Sequence, residues 1–295
     1  RRLAVFVNTV AQAVKQTHPG KYLTYLATYT DDLRSPPADL AMEKNVIAMG
    51  VNEPRFVKEW ADKGVIPAFY LWVFEPTTTR FPLVDNFYTA PEAVRQAHLG
   101  GAQVLLEEVN HSPLNYPAVY LSMKVSWDGD FDLDAARRQF FTEYFGPAAR
   151  DMEEFWKTLG LVKGVADLDR WGQPLENAVE HAKGEEDYAA RIAQIRPVYR
   201  IIRHYLLLED LALTALQTGR KEAKVQFMAS FEELNLALDS EAGRTLPNRD
   251  VLRVRMKTVF GALAGARLRY TDMQATGDFL WGDFDYKVDG LMRAA

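Results

Sequence analysis

Four short apolar runs, separated by helical patterns, constrain this chain more than any other feature. Tyr22 to Thr30, Asn45 to Val51, Val65 to Val73 and Ala102 to Val109 are rich in Val, Ile, Leu, Tyr and Thr. They are bounded by Gly, Pro, Asn or Asp, and each reads as a strand. Before the first lies an amphipathic helix, Leu3 to Thr17, with Leu3, Phe6, Val10, Ala13 and Val14 at helical steps and His18-Pro19-Gly20 as its stop. Glu53 to Asp62 is a second helix with Pro54 in its first turn, and Pro91 to Leu99 lies in a third. Strands this apolar are expected to be buried on both faces. Helix-separated buried strands form a parallel sheet.

The strand signal ends at Pro113. Leu114 to Trp127 and Asp132 to Leu159 read as helices, the second interrupted at Gly146-Pro147. A loop is expected from Gly160 to Pro174. Three long helices follow, over Glu185 to Thr218, Lys221 to Leu238 and Arg249 to Gln274. Ile192, Ile195, Tyr199, Ile202 and Leu206 form one core stripe, and Phe227, Phe231, Leu234 and Leu238 another. Pro197 is expected to kink or split the first of these helices.

A complete (β/α)₈ barrel needs eight strands and ~250 residues. Four strand–helix units therefore fit either a small open α/β sheet or half a barrel. The expected fold class is α/β: the C-terminal half of a (β/α)₈ TIM barrel, with four parallel strands over residues 1–160, then an α-helical C-terminal domain over 161–295. The chain opens on Arg1-Arg2 rather than Met, so the opening half of such a barrel is expected upstream.

Composition removes several function classes. Lys and Arg total 35 against 40 Asp and Glu, a net charge of −5. That balance argues against a nucleic-acid binder. There is no cysteine, which excludes disulfides, thiol catalysis and zinc ribbons. The longest apolar stretch, Val65 to Phe74, is about half of the ~20 residues a membrane span needs. The five histidines stand singly with no paired ligand spacing, so no metal site and no cofactor are expected.

Several local patterns, in order, resemble the bacterial family catalogued as DUF4838, a domain of unknown function related to glycoside hydrolase barrels. They are Phe6-x-Asn8 with Ala11 and Pro19; Leu26-Ala27-x-Tyr29 with Pro36-Pro37; and Asn45-Val46. Trp60 then precedes the Tyr70 and Trp72 strand, and Gly100 precedes Glu107. Tyr120-Leu121-x-x-Lys124-x-x-Trp127-Asp128 and Phe140 to Gly146 with Ala148-Ala149 complete the pattern over residues 3–160. The resemblance implies a barrel similar to those of α-glucuronidases and β-hexosaminidases, acting on or binding poly- or oligosaccharide. It also implies export to the periplasm or medium. The four strands look like the fifth to eighth of that barrel, so an acid pair at the end of the fourth strand would precede Arg1. The loop after Val51 is shorter than in relatives and runs directly into Glu53-Pro54.

In such barrels the site is built where strands end. Those ends supply Tyr29, Asp31 and Asp32, then Asn52 and Glu53, then Trp72 and Glu75, then Glu107, Glu108, His111 and Asn115. Glycoside hydrolysis needs two carboxylates, ~5–5.5 Å apart for retention or ~6.5–9.5 Å for inversion. Aromatic faces suit the apolar faces of sugar rings. Each residue also has a plainer reading. Asp31-Asp32 suits a turn or helix cap, Glu53 the first turn of a helix, Glu75 a solvated loop and Trp72 a core. Glu107-Glu108 follows Val104-Leu105-Leu106, so alternation turns one carboxylate inward. Glu107, which aligns with the family's Gly-to-Glu spacing, is the expected catalytic carboxylate; the others are expected to bind substrate. Non-catalytic carbohydrate binding and a helical interaction module are the rival readings. Open barrel edges also favour self-association.

Asp128-Gly-Asp130-Phe-Asp132-Leu-Asp134 alternates acids like a calcium loop. An EF-hand needs Gly and Glu where Leu133 and Gln139 stand, so a helix start capped by Asp132 is expected instead. Gly261-x-x-x-Gly265, among Arg253, Arg255 and Lys257, reads as close packing in a water-facing helix.

Overall fold

The computed structural model describes residues 1–27, 35–51, 53–73, 86–109, 112–162, 164–218 and 221–244. It divides into two compact units. The first comprises Arg1–Phe74, Asn86–Val109 and Asn115–Arg137; the second comprises Glu75–Asp85, Asn110–Leu114 and Arg138–Ala295.

In the first unit, helix α1 (Arg2–Thr17) precedes β1 (Leu23–Ala27) and β2 (Val46–Val51). Helix α2 (Arg55–Ala61), β3 (Ile66–Val73), α3 (Asn86–Leu99), β4 (Val104–Val109) and α4 (Tyr116–Trp127) follow. The four strands form one parallel sheet in the order β1-β2-β3-β4. Each crossover moves one place in the same direction, as in a (β/α) barrel and unlike a doubly wound sheet, whose order reverses. Gly101, at φ 92°, makes the turn out of α3, and Gln103 N–H then donates to the Pro67 carbonyl.

Register sorts the strand residues into two faces, because directly paired residues point to the same side. One face carries Tyr25, Ala27, Val46, Ala48, Phe69, Leu71 and Val73, all buried. Ala4, Val7 and Ala11 of α1 and Phe56 and Trp60 of α2 pack with its β1–β2 part, where Tyr25 and Trp60 meet edge to face at 5.5 Å. Asn8 fastens α1 to the segment before β2. Its amide donates to the Ala41 carbonyl at 2.9 Å, and its oxygen accepts from Glu43 N–H at 2.6 Å. Asn45 adds a bond to the Ala11 carbonyl at 2.9 Å.

The opposite face is more open. Two expectations change here. The strands are not all buried on both sides: on this face only Met49 and Ala68 of the inner strands β2 and β3 are buried, Tyr70 and Trp72 are half-buried, and Leu26 of β1 and Val104 and Leu106 of β4 are exposed. An outer strand has one neighbour to cover it instead of two. Helix α1 also buries a different stripe. Its small residues face the core, while Leu3 and Phe6 are 39% and 63% exposed. Alanines on the sheet-facing side let helix and sheet approach closely, which the bulkier stripe would prevent.

The boundary between the units falls within α5 (Leu133–Phe145). At its start, Asp132 Oδ1 accepts from the N–H groups of Asp134 and Ala135, both at 3.0 Å, as a cap does. Among the described residues, the second unit continues as helices: α6 (Ala149–Leu159), α7 (Leu168–His181), α8 (Glu186–Thr218), α9 (Lys221–Asp239) and the single turn α10 (Glu241–Arg244). The mixed α/β region is thus followed by a helical one, as the sequence pattern predicts.

Its core is aromatic. Phe155 stacks on Trp171 at 5.4 Å, and Tyr199 meets Trp171 edge-on at 4.8 Å. The loop expected up to Pro174 is instead helix α7, with Pro174 inside it. Leu168, Trp171, Leu175 and Ala178 give α7 a buried stripe at helical spacing, and that burial outweighs the one donor Pro174 lacks. Gly172 leaves room for the Tyr199 hydroxyl, which donates to the Leu168 carbonyl at 3.2 Å. Helix α8 also runs unbroken through Pro197, with Ile192, Ile195, Tyr199, Ile202 and Leu206 buried along it. The expected helix over Arg249 to Gln274, with Gly261 and Gly265, lies outside the described residues.

Candidate functional site

The pairing of β3 with β4 places Tyr70 opposite Leu106, Leu71 opposite Glu107 and Trp72 opposite Glu108. Adjacent carboxylates therefore leave β4 on opposite sides. Glu108 is exposed on the open face and shares it with Tyr70 and Trp72. The Tyr70 hydroxyl donates to Glu108 Oε2. Tyr70 and Trp72, two residues apart, meet edge to face with ring centroids at 6.1 Å. The three side chains form a fixed constellation: two half-buried rings and one exposed carboxylate that keeps an acceptor oxygen beyond the Tyr70 bond.

Glu107 lies on the helix-covered side with Phe69, Leu71 and Val73. Both its oxygens are buried, and neither has a hydrogen-bond partner among the described residues. Burial pushes its carboxyl up to about 7, because the charged form has lost its water. The expected catalytic carboxylate thus holds a proton near neutrality but does not share a face with the aromatic pair.

The other expected site residues have varied positions. Asn115, 1% exposed, donates to the Val73 carbonyl at 3.3 Å and so latches the end of β3. Glu53, just beyond β2, is engaged by Arg55 at 3.0 and 2.8 Å. Tyr29, Asp31, Asp32, Asn52, Glu75 and His111 lie outside the described residues. Sequence reasoning did not place Tyr70 at the site. The available signal was its two-residue step from Trp72, which puts both on one face of a strand.

Among the described residues, no group of three or more His, Asp or Glu side chains is arranged to hold a metal ion. Nor is any helix among them long and apolar enough to cross a membrane.

The family described as "Domain of unknown function (DUF4838)" matches residues 2–156. No curated protein and no solved structure matches the chain.

Proposed function

Since this chain belongs to the DUF4838 family, we propose that it is carbohydrate-active and seats a poly- or oligosaccharide on the open face of its sheet. The observation that carries this reading is the constellation of Tyr70, Trp72 and Glu108. Aromatic rings offer large, rigid apolar surface for the CH-bearing face of a sugar ring. A carboxylate accepts strongly from the hydroxyls at the ring's edge. The constellation sits near the C-terminal ends of β3 and β4, where parallel α/β folds place their ligands.

A second reading, hydrolysis of the O-glycosyl bond by paired carboxylates, is favoured by Glu107. A glycosidase's acid must hold its proton close to neutral pH, and burial puts the Glu107 carboxyl there. Direct protonation of a sugar on the open face would require that carboxyl to reach across β4. The geometry therefore favours binding over turnover.

A titration of oligosaccharides against the full chain, alongside a hydrolysis screen on uronic-acid and N-acetylhexosamine glycosides, tests both readings. We expect Trp72→Ala to weaken saccharide binding about tenfold, the loss of one stacked ring. A chain with no saccharide affinity, or a variant that binds as the parent does, overturns the carbohydrate reading. Turnover that vanishes in Glu107→Gln while binding persists establishes the hydrolytic one.

A further inference from the structure

We infer that the open face takes uncharged sugars in preference to uronates, an inference that rests on the carbohydrate reading above. The reason is the charge inventory of that face. Glu108 is the one charged side chain that the described strand positions place on it; the remaining positions, from Thr24 and Leu26 across Tyr70 and Trp72 to Leu106, are uncharged. A uronate needs a cation to meet its carboxylate, usually an Arg fork or a Lys ammonium. None of the described strand positions on this face supplies one. Arg55, just beyond β2, is already engaged by Glu53.

A uronate lying on the Tyr70–Trp72 rings would bring a second carboxylate towards Glu108. Two like charges a few ångströms apart at a partly exposed site cost about tenfold or more in affinity. An uncharged hexose or N-acetylhexosamine presents a hydroxyl or amide N–H instead. That donor pairs with the Glu108 oxygen left beyond its bond from Tyr70. The resemblance to α-glucuronidase- and β-hexosaminidase-like barrels leaves the sugar open; the charge on this face favours the uncharged class.

The test is calorimetric titration of the full chain with N-acetylglucosamine and glucose oligomers and with uronate oligomers of equal length. We expect the uncharged oligomers to bind about tenfold more tightly at low salt. The gap should narrow at high salt, which screens the repulsion, and again in Glu108→Gln. The salt series on the unaltered chain keeps the test decisive if that variant fails to fold. Uronates that bind as tightly as uncharged oligomers, with no salt dependence, overturn the preference and leave the carbohydrate reading intact. Failure of both classes to bind overturns the carbohydrate reading itself.

Discussion

The two faces of the sheet are made from the same strands yet differ in almost every physical respect. On the covered face, Phe69 and Val73 are fully buried. On the open face, Leu26, Val104 and Leu106 stay 37–46% exposed. Glu107 and Glu108 are neighbours in sequence, and this difference alone separates them. One is a buried carboxyl without a hydrogen-bond partner among the described residues; the other is an exposed carboxylate bonded to a tyrosine. Proximity along a strand therefore says little about shared chemistry, because successive side chains belong to different environments.

Truncating each face gives the sharpest contrast. Phe69→Ala should cost about 3–5 kcal/mol, since a fully buried ring leaves a cavity behind. Leu106→Ala, at 46% exposure, should cost under about 1 kcal/mol. Urea unfolding of both variants measures this, and equal losses would erase the distinction between the faces.

The buried carboxyl offers the next largest effect, and its sign follows from proton binding. The Glu107 pKa lies near 4.5 in an unfolded chain and about 7 in the folded one. Below the lower value both states hold the proton, and the group leaves stability unchanged. Between the two, the folded state keeps a proton that the unfolded state has released, so stability falls as pH rises. Above about 7 the full penalty, at most about 3 kcal/mol, is in place. Glu107→Gln should therefore match the parent near pH ~4 and exceed it in stability near pH ~8. A variant stability gap that does not grow with pH would place Glu107 in a wetter setting than its buried oxygens indicate.

The smallest effect belongs to the open face. Tyr70→Phe removes the hydroxyl that holds Glu108 but leaves the ring. It should lower stability by about 1 kcal/mol at most, because Glu108 is exposed and water replaces the lost donor. Saccharide affinity should fall several-fold, since the carboxylate is no longer held in place. Unchanged affinity would mean that the Tyr70–Glu108 bond has no part in presenting the acceptor.

Much of the architecture was legible beforehand. Strand positions followed from apolar runs of the right length, and the helices from three- and four-residue spacing, because those periods are properties of the backbone itself. Elsewhere packing overrules local signals. Pro174 signals the end of a loop, yet Trp171 and Leu175 on either side bury enough surface to hold a helix through it. On α1 the larger residues suggest the core stripe by size, but close approach to a sheet favours Ala4 and Ala11. The family motif also reads differently in three dimensions. Asn8 and Asn45 fasten a helix to a loop, and Trp60 fills a core.

The sequence alone determined that this is a parallel α/β sheet followed by helices, that cysteine chemistry is absent, and that the strand ends are rich in acids and aromatics. Composition and periodicity are local properties, and they survive without knowing what packs where. Only the tertiary structure decided which of two adjacent glutamates faces the aromatic pair. That choice depends on the register between β3 and β4, and a shift of one residue would exchange Glu107 for Glu108. Register is set by the whole sheet and its helices together, so no reading of β4 by itself contains it.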